Sequence, residues 1–420
     1  MPALPSTRPG GPAEAVRPPA AGWPAVFAVT LGLFAIVTTE ILPIGLLTSI
    51  GADFTVSDGA AGLTMAVPGL LAAVSAPLVT VATAGADRRL VLCVLMLVLT
   101  LADVVAAAAP GLPLLLVSRI LVGVTIGGFW SVGAGLAERL VPPAAAGRAT
   151  AVIFLAVPLG SVLGVPAGTL TGDLAGWRTA FVALAVLAAG VLAALLLTVP
   201  PLPPLVATRP AVLGEVLRRP GTRAAALLTF LVVLAHFGTY TYVTPFLEQV
   251  TGLGDGPVTA FLLAYGAAGV LGNFLGGARA TRHPRYVFGA AAGLLAAATL
   301  LLPVLGGGPA GALVLLAVWG VAYGAVPVAS QALFVRAAPD APEAASVLFT
   351  AAFQATFSLG AFAGGGVLDR TSPAALMTLG GCVAAVAALS AVAARPSGGA
   401  RPGRVGTPHP RRPHRRRDTL

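Results

Sequence analysis

The sequence predicts an all-α membrane protein whose twelve transmembrane helices form two bundles of six. Composition is the first reason: 57% of the 420 residues are hydrophobic, 10% are charged and the mean hydropathy is +0.93, which is too apolar for a soluble protein. The second reason is a series of apolar runs of about 20 residues, the length that crosses a bilayer. The third reason is the placement of arginine along the chain.

The apolar runs are separated by charges or by Pro and Gly clusters, which set the span boundaries. The predicted spans are 23–47, 59–83, 90–109, 112–135, 147–171, 177–199, 222–247, 257–278, 285–304, 310–333, 343–367 and 372–394. They form one bundle over 23–199 and a second over 222–394, joined by a linker at 200–221. Residues 1–22 and 395–420 are polar and rich in Pro, so we expect both segments to be disordered.

Arginine placement supports this count independently. All 25 basic residues are arginine, and with both termini in the cytoplasm 22 of them fall in cytoplasmic segments. Cytoplasmic loops collect basic residues. Adding or removing one span would therefore place arginine-rich segments on both sides of the membrane. The net charge of +10 therefore records membrane orientation, and we expect no nucleic-acid partner. The sequence predicts a multi-pass protein of the cell (inner or plasma) membrane.

The two bundles share Gly, Pro and other residues at nearly fixed sequence offsets, which indicates an internal duplication. Four residues recur 197 positions later: Gly123, Gly127, Arg139 and Pro142 correspond to Gly320, Gly324, Arg336 and Pro339. Shorter matches occur at nearby offsets: Thr39 and Pro43 with Thr241 and Pro245, and Gly160 and Gly164 with Gly360 and Gly364. Duplicated bundles with a substrate site between them are a known plan for secondary transporters.

A glycine stripe marks the fifth span. Gly160, Gly164, Gly168 and Gly172 recur every fourth residue, so on a helix they form one face without side chains, and a neighbouring backbone can approach closely. Pro166 in the same span removes a backbone donor. The stripe predicts a helix that slides or rocks, and tight packing alone is the alternative.

Three ionisable residues, Glu40, Arg119 and His236, fall clearly inside spans, where burying a charge costs about 2.5–3.5 kcal/mol on insertion scales. Glu40 lies in the first span, and a carboxyl group partly removed from water can exchange a proton near neutral pH. Arg119 in the fourth span must pair with carboxylates or carbonyls, or face a wet cavity. Asp103 lies near the outer end of the third span and is expected to be interfacial, with a role in the site as the alternative. A solvated Glu40 and a snorkelling Arg119 are the alternatives.

A candidate substrate site follows from polar and aromatic residues in the spans. His236 and Tyr240 are four residues apart and share a helix face, with Tyr242 close by. Such groups around a cavity suit a polar ring compound. Further candidates to line a cavity, or to bridge helices instead, are Trp130, Trp319, Asn273, Gln331 and Gln354.

Several motifs resemble the major facilitator superfamily, specifically its drug and metabolite:proton antiporter branch. The segment from Leu116 to Gly123 with Arg119 resembles the family's helix 4 motif, and 158–172 resembles its helix 5 antiporter motif. The pairs Thr39-Glu40 and His236-Phe237 resemble the purine-ribonucleoside and sugar efflux subgroup.

The resemblance implies the major facilitator fold, proton-coupled efflux by alternating access, and proton coupling at Glu40 and Arg119. It implies a small polar solute or drug, such as a nucleoside, sugar or antibiotic, as substrate. The family's loop 2–3 motif survives only as Asp87-Arg88, without the expected glycines, which weakens a gating role for that loop.

Other functional classes have little support. The chain has no His-Glu-x-x-His or Gly-x-Ser-x-Gly motif, and without lysine it has no Walker A loop. We therefore expect neither an enzyme nor an ATP-driven pump, although a membrane-embedded enzyme and a non-transporting receptor stay open as alternatives. Two cysteines, Cys93 and Cys382, are expected to be free and buried. We expect no metal or cofactor, and a monomer whose partners are the substrate, protons and membrane lipids.

Overall fold

The structure is a computed structural model that describes residues 22–83, 85–133, 136–203, 210–280 and 282–393. Of the segments predicted to be disordered, 1–22 and 395–420, all residues except Gly22 lie outside the described residues. The described chain is helical and contains no strand.

Its helices before the linker are α1 Trp23–Ile41, α2 Pro43–Phe54, α3 Asp58–Ala61, α4 Leu63–Ala82, α5 Arg88–Ala107, α6 Leu112–Gly133, α7 Leu136–Leu140, α8 Pro143–Ala175 and α9 Trp177–Thr198. The rest are α10 Pro210–Arg218, α11 Pro220–Tyr240, α12 Val243–Gln249, α13 Asp255–Ala280, α14 Pro284–Leu305, α15 Pro309–Ala337, α16 Pro342–Leu368 and α17 Pro373–Ala393.

Within the described residues, twelve helical segments are long and apolar enough to cross a membrane, which confirms the predicted number of spans. Large apolar side chains cover their outer faces; Leu197 is 85% exposed and Val186 is 68% exposed. Such a surface suits acyl chains and not water. Cys382 is also exposed, so the expectation that both thiols are buried was wrong for this residue, whereas Cys93 is buried.

The duplicated glycines make equivalent contacts in the two halves. Gly123 and Gly127 of α6 face α4, and a Cβ atom at Gly123 would lie 2.5 Å from the carbonyl oxygen of Pro68. In the second half Gly320 and Gly324 of α15 face the carbonyl oxygens of α13 in the same way. Backbones meet at these crossings because no side chain separates them. The duplication predicted from sequence spacing is therefore also a duplication of packing.

The glycine stripe of α8 packs along the first span, which α1 and α2 form together. A Cβ atom at Gly160 would meet Val37, and one at Gly168 would meet Leu42. Further along, Gly172 faces Leu46 in the same way. The stripe thus lies beside the last turn of α1, the turn that carries Glu40.

Both described chain ends and the linker lie at one end of the bundle, because twelve spans return the chain to its starting side. We call this the terminal end; it includes Trp23, α10 and Ala393. The linker is joined there to the loop before α16: Arg219, which follows α10, donates hydrogen bonds of 2.5 and 2.8 Å to the Asp340 carboxylate. These bonds lower the pKa of Asp340 to about 2.

The opposite end, which holds the loops at 55–57, 250–254 and 369–372, is closed by contacts between the two halves. The Asp369 carboxylate accepts bonds from the Ser57 hydroxyl at 2.8 Å and the Gly59 N–H at 3.0 Å. Thr48 donates to Glu248 at 3.2 Å nearby. Within the described part of the chain, the hydrogen bonds that join the halves lie at the middle of the bundle or toward this end.

The backbone crossing of α13 and α15 predicts the cost of adding a single methyl group. Gly324→Ala is expected to lower the melting temperature in detergent by several degrees, because its Cβ would overlap the carbonyl oxygen of Gly269. Gly190→Ala in α9 is the matched control, since nothing lies within 4 Å of its added methyl group. Alanine favours a helix over glycine, so the control should keep or raise the melting temperature. Equal melting temperatures for the two variants would contradict the crossing.

Candidate functional site

Glu40 lies in the last turn of α1, at the junction of the two halves. Its side chain is buried and 9% exposed. The amide Nε2 of Gln354, on α16 in the other half, donates a hydrogen bond of 3.0 Å to Oε1 of Glu40. Gln354 lies near the middle of α16. The carboxyl group therefore belongs to a buried bond that links the first and second halves at mid-bundle.

Arg119, on α6, is fully buried and is held by backbone carbonyl oxygens. Its Nη2 donates to the carbonyl oxygen of Thr39 at 2.8 Å and to that of Glu40 at 3.2 Å. Its Nε donates to the carbonyl oxygen of Thr64, on α4, at 3.0 Å. The guanidinium therefore fastens α1, α4 and α6 together beside the acid.

Two prolines explain why these carbonyl oxygens are available. In an α-helix each carbonyl accepts from the N–H four residues later, and proline has no N–H. Pro43 stands four residues after Thr39, and Pro68 stands four residues after Thr64. Both acceptors of the strongest Arg119 bonds are thus carbonyls that a proline has released. A planar guanidinium with five donors suits such divergent acceptors.

Asp103 belongs to the same network, and the expectation that it is interfacial was wrong. Its side chain has no exposed surface. Its Oδ2 accepts a hydrogen bond from the Thr39 hydroxyl at 3.3 Å, while Oδ1 is buried without a hydrogen-bond partner. Nη1 of Arg119 is likewise buried without a partner. Asp103 is buried because α1 and α6 cover it. Its position near the end of an apolar span does not indicate that contact.

His236 lies in a buried stack of aromatic rings in the second half. The ring of Tyr323 stacks on it with centroids 3.3 Å apart and planes 6° apart. Tyr240 stacks at 5.1 Å, and Tyr265 stacks on Tyr240 at 4.3 Å. Trp319 meets the imidazole edge to face at 5.7 Å. We call these five residues the aromatic cluster.

The aromatic cluster holds polar atoms that have no protein partner. Nε1 of Trp319 donates to Nδ1 of His236 at 3.1 Å, so in the neutral imidazole the proton lies on Nε2. That Nε2 atom and the Tyr265 hydroxyl are buried and unpartnered. Tyr323 is only half-buried, and the charge of Glu40 acts electrostatically on its hydroxyl group. The aromatic cluster is thereby linked to Glu40.

The other predicted substrate residues do not join the aromatic cluster. The Tyr242 hydroxyl donates to the Ala361 carbonyl oxygen at 2.6 Å, in a packed region against Gly365. Asn273 is half-buried on α13, and Gln331 is exposed toward the end of α15. The side chain of Trp130 lies outside the described residues.

Asp87 and Arg88 serve the turn before α5. The Asp87 carboxylate caps that helix by accepting from the Arg89 N–H at 2.8 Å. Arg88 donates to the carbonyl oxygen and the hydroxyl of Thr83, at 3.2 and 3.3 Å. These bonds lie inside the first half, and a role for the two residues in the conformational change stays a prediction.

Sequence reasoning missed that Pro43 and Pro68 release carbonyl oxygens for Arg119. It also missed that Tyr265 and Tyr323 stack in the aromatic cluster. A usable signal existed for each: a proline four residues after a threonine in two apolar spans, and a chain with only five tyrosines, of which two stand in mid-span. No group of three His, Cys, Asp or Glu that could hold a metal ion occurs among the described residues.

The proline-released carbonyls predict a rescue experiment on Arg119. Arg119→Leu should destabilise the protein by about 1–3 kcal/mol for each carbonyl left unpaired. Adding Pro43→Ala and Pro68→Ala restores the missing N–H donors, so the triple variant should recover much of the lost melting temperature. The two proline substitutions alone, with Arg119 present, are the control. A triple variant no more stable than Arg119→Leu would contradict this assignment.

Comparison with known proteins identifies the family. The family model of the Major Facilitator Superfamily matches residues 23–364. The Escherichia coli (strain K12) protein named purine ribonucleoside efflux pump NepI is 30% identical over 377 residues, covering 90% of this chain and 95% of NepI. A Pseudomonas aeruginosa protein named transcription regulatory protein OpdE is 35% identical over 357 residues, covering 83% of this chain and 88% of its own.

Solved structures agree on the fold. The crystal structure of a bacterial homologue of the human lysosomal transporter Spinster matches with a TM-score of 0.70 at 17% identity, covering 88% of this chain and 94% of its own. The structure of the human organic anion transporter MFSD10 matches with a TM-score of 0.64 at 18% identity, covering 89% of this chain and all of its own. With twelve spans, duplicated packing and a family match over most of its length, this chain belongs to the Major Facilitator Superfamily, as a transporter and not an enzyme.

Proposed function

We propose that this transporter exports a small polar organic solute from the cytoplasm in exchange for protons. The observation that carries the proposal is the buried hydrogen bond between Glu40 and Gln354, because it ties a protonatable group to the contact between the halves. A ligand can drive a conformational change only if it binds the two states differently. A proton on Glu40 meets this condition, since protonation changes the bond that joins the halves.

The proposed orientation has both termini in the cytoplasm, so the closed opposite end faces outward. Ionised Glu40 accepts a charge-assisted bond from Gln354, which is stronger than a bond to a neutral acid. It therefore favours the conformation closed to the outside. A substrate entering from the cytoplasm competes for Glu40 or Gln354, and a proton entering from outside neutralises Glu40. Each weakens the cross-half bond, which permits alternating access. The glycine stripe of α8 against the first span provides a smooth contact for that motion.

The aromatic cluster is the proposed substrate contact. Stacked rings suit a planar heterocycle, and the unpartnered His236 Nε2 and Tyr265 hydroxyl offer hydrogen bonds to it. A nucleoside has such a planar base, and a relative bears the name purine ribonucleoside efflux pump. Purine ribonucleosides are therefore the first substrates to test, with sugars and antibiotics after them.

Purified protein in proteoliposomes tests the coupling. We expect wild-type protein to accumulate radiolabelled inosine against its gradient when a pH gradient is imposed. Glu40→Gln should abolish this accumulation, because glutamine holds no exchangeable proton at that position, and should keep inosine exchange at equal pH on both sides.

Glu215→Gln is the matched control. It makes the same chemical change on α10, where Glu215 is 73% exposed, and should accumulate inosine like wild type. Uphill accumulation that persists in Glu40→Gln would show that the proton binds elsewhere. Absence of any exchange by wild-type protein, for nucleosides, sugars and antibiotics alike, would instead favour a non-transporting receptor on this scaffold.

A second variant tests the substrate contact. His236→Phe keeps a ring in the stack but removes the Nε2 donor, so the apparent KM for inosine should rise about tenfold or more. Driven transport at saturating inosine should stay coupled to the pH gradient. Tyr242→Phe is the control: it loses a bond to Ala361 and should lower the melting temperature without changing KM. A KM change in the control and not in His236→Phe would overturn the assignment.

A further inference from the structure

The buried charges of the first half point to a residue that the proposed function has not used. Glu40, Asp103 and Arg119 are the only buried Asp, Glu or Arg side chains among those that the structure describes. All three converge on Thr39: Glu40 follows it in the chain, Asp103 accepts from its hydroxyl, and Arg119 donates to its carbonyl oxygen.

The arginine has one positive charge and faces two acids. A guanidinium stays protonated in proteins, so its charge is fixed, whereas each carboxyl group can be neutral or negative. Both carboxyl groups act electrostatically on Arg119. Unbalanced charge is expensive at a buried site. The network is neutral when one of the two acids is ionised and the other carries a proton.

We propose that Glu40 and Asp103 share a single proton, with Arg119 as their common counter-charge, so that Asp103 is a second proton-binding residue of the transporter. This inference rests on the proposed proton coupling at Glu40. When Glu40 is ionised and bonded to Gln354, Asp103 holds the proton. When Glu40 takes up a proton from outside, Asp103 releases its own proton toward the cytoplasm and becomes the carboxylate that balances Arg119. One proton thus moves inward per cycle, and the pair still holds a single proton.

The unpartnered atoms fit this exchange. Oδ1 of Asp103 and Nη1 of Arg119 are each buried and each lacks a hydrogen-bond partner. Oδ1 accepts no hydrogen bond, so it is the oxygen that can carry the proton, and Nη1 is an unused donor that a newly ionised Asp103 can attract. The groups that act on Asp103 are Arg119 on α6 and the Thr39 hydroxyl on α1, while the Glu40 carboxyl group is bonded to Gln354. On α9 the one charged side chain is Arg178, which pairs with Asp53 at 2.7 Å near the opposite end.

Infrared difference spectroscopy of the detergent-purified protein at neutral pH counts the protonated carboxyl groups directly. Wild-type protein should show one buried protonated carboxyl band. Asp103→Asn should lose the band, because Glu40 is then the sole counter-charge of Arg119 and ionises. Glu40→Gln should lose it for the mirror reason. Arg119→Leu should show about twice the wild-type band, since both acids are then protonated.

A transport measurement gives a second readout that a structural role would not move. In Asp103→Asn, protonating Glu40 leaves Arg119 without a counter-charge, so driven inosine transport should need about a tenfold or more higher proton concentration than wild type. Asp103→Glu keeps the acid and should restore the wild-type profile. Thr39→Val, which removes the hydroxyl donor to Asp103, should shift the frequency of the band without removing it.

The outcomes separate this inference from the proposed function. A band that persists in Asp103→Asn with the wild-type intensity, or a wild-type protein without a band, would overturn the shared proton even if Glu40→Gln abolishes coupling. Conversely, the predicted bands could be found in a protein that drives no inosine transport. That result would support the shared proton and remove its transport role.

Discussion

A single positive charge that cannot be discharged organises the first half of this protein. Arg119 must be satisfied inside an apolar bundle, and the chain satisfies it with carbonyl oxygens that Pro43 and Pro68 release. The broken first span is therefore not a weak point of the fold, because its free acceptors bind the guanidinium. The same break presents Glu40 to the other half. The last turn of α1 thus supplies both the carbonyl oxygens that bind Arg119 and the carboxyl group that bonds to the other half.

The two halves use the same packing for different chemistry. Gly123 and Gly127 bring α6 against α4 as Gly320 and Gly324 bring α15 against α13. The first half encloses acids and an arginine, whereas the second encloses the aromatic cluster. Tyr323 connects the two because it stacks on His236 and feels the charge of Glu40. The proposed substrate contact in one half is therefore linked electrostatically to an acid in the other half.

Much of the fold could be predicted from the sequence, since the number of spans depends on hydrophobic length and arginine placement, which are local properties. The duplication was also visible, because close helix crossings require glycine at fixed spacing.

The site was harder to predict. Asp103 seemed interfacial because depth in the bundle depends on how α1 and α6 cover it, and no local pattern records that. The partnership of Glu40 with Gln354, 314 residues later in the chain, is a tertiary property.

The broken first span and its counterpart show how gene duplication can divide labour. At an offset of 202 residues Thr39 and Pro43 correspond to Thr241 and Pro245, and Glu40 corresponds to Tyr242. The acid's counterpart is a tyrosine that donates to a neighbouring carbonyl oxygen and takes no part in the aromatic cluster. Under the proposed function, selection on the substrate can therefore change the second repeat while the proposed proton-coupling residues of the first repeat are kept. Paralogues that differ in what they carry should diverge mainly after the linker.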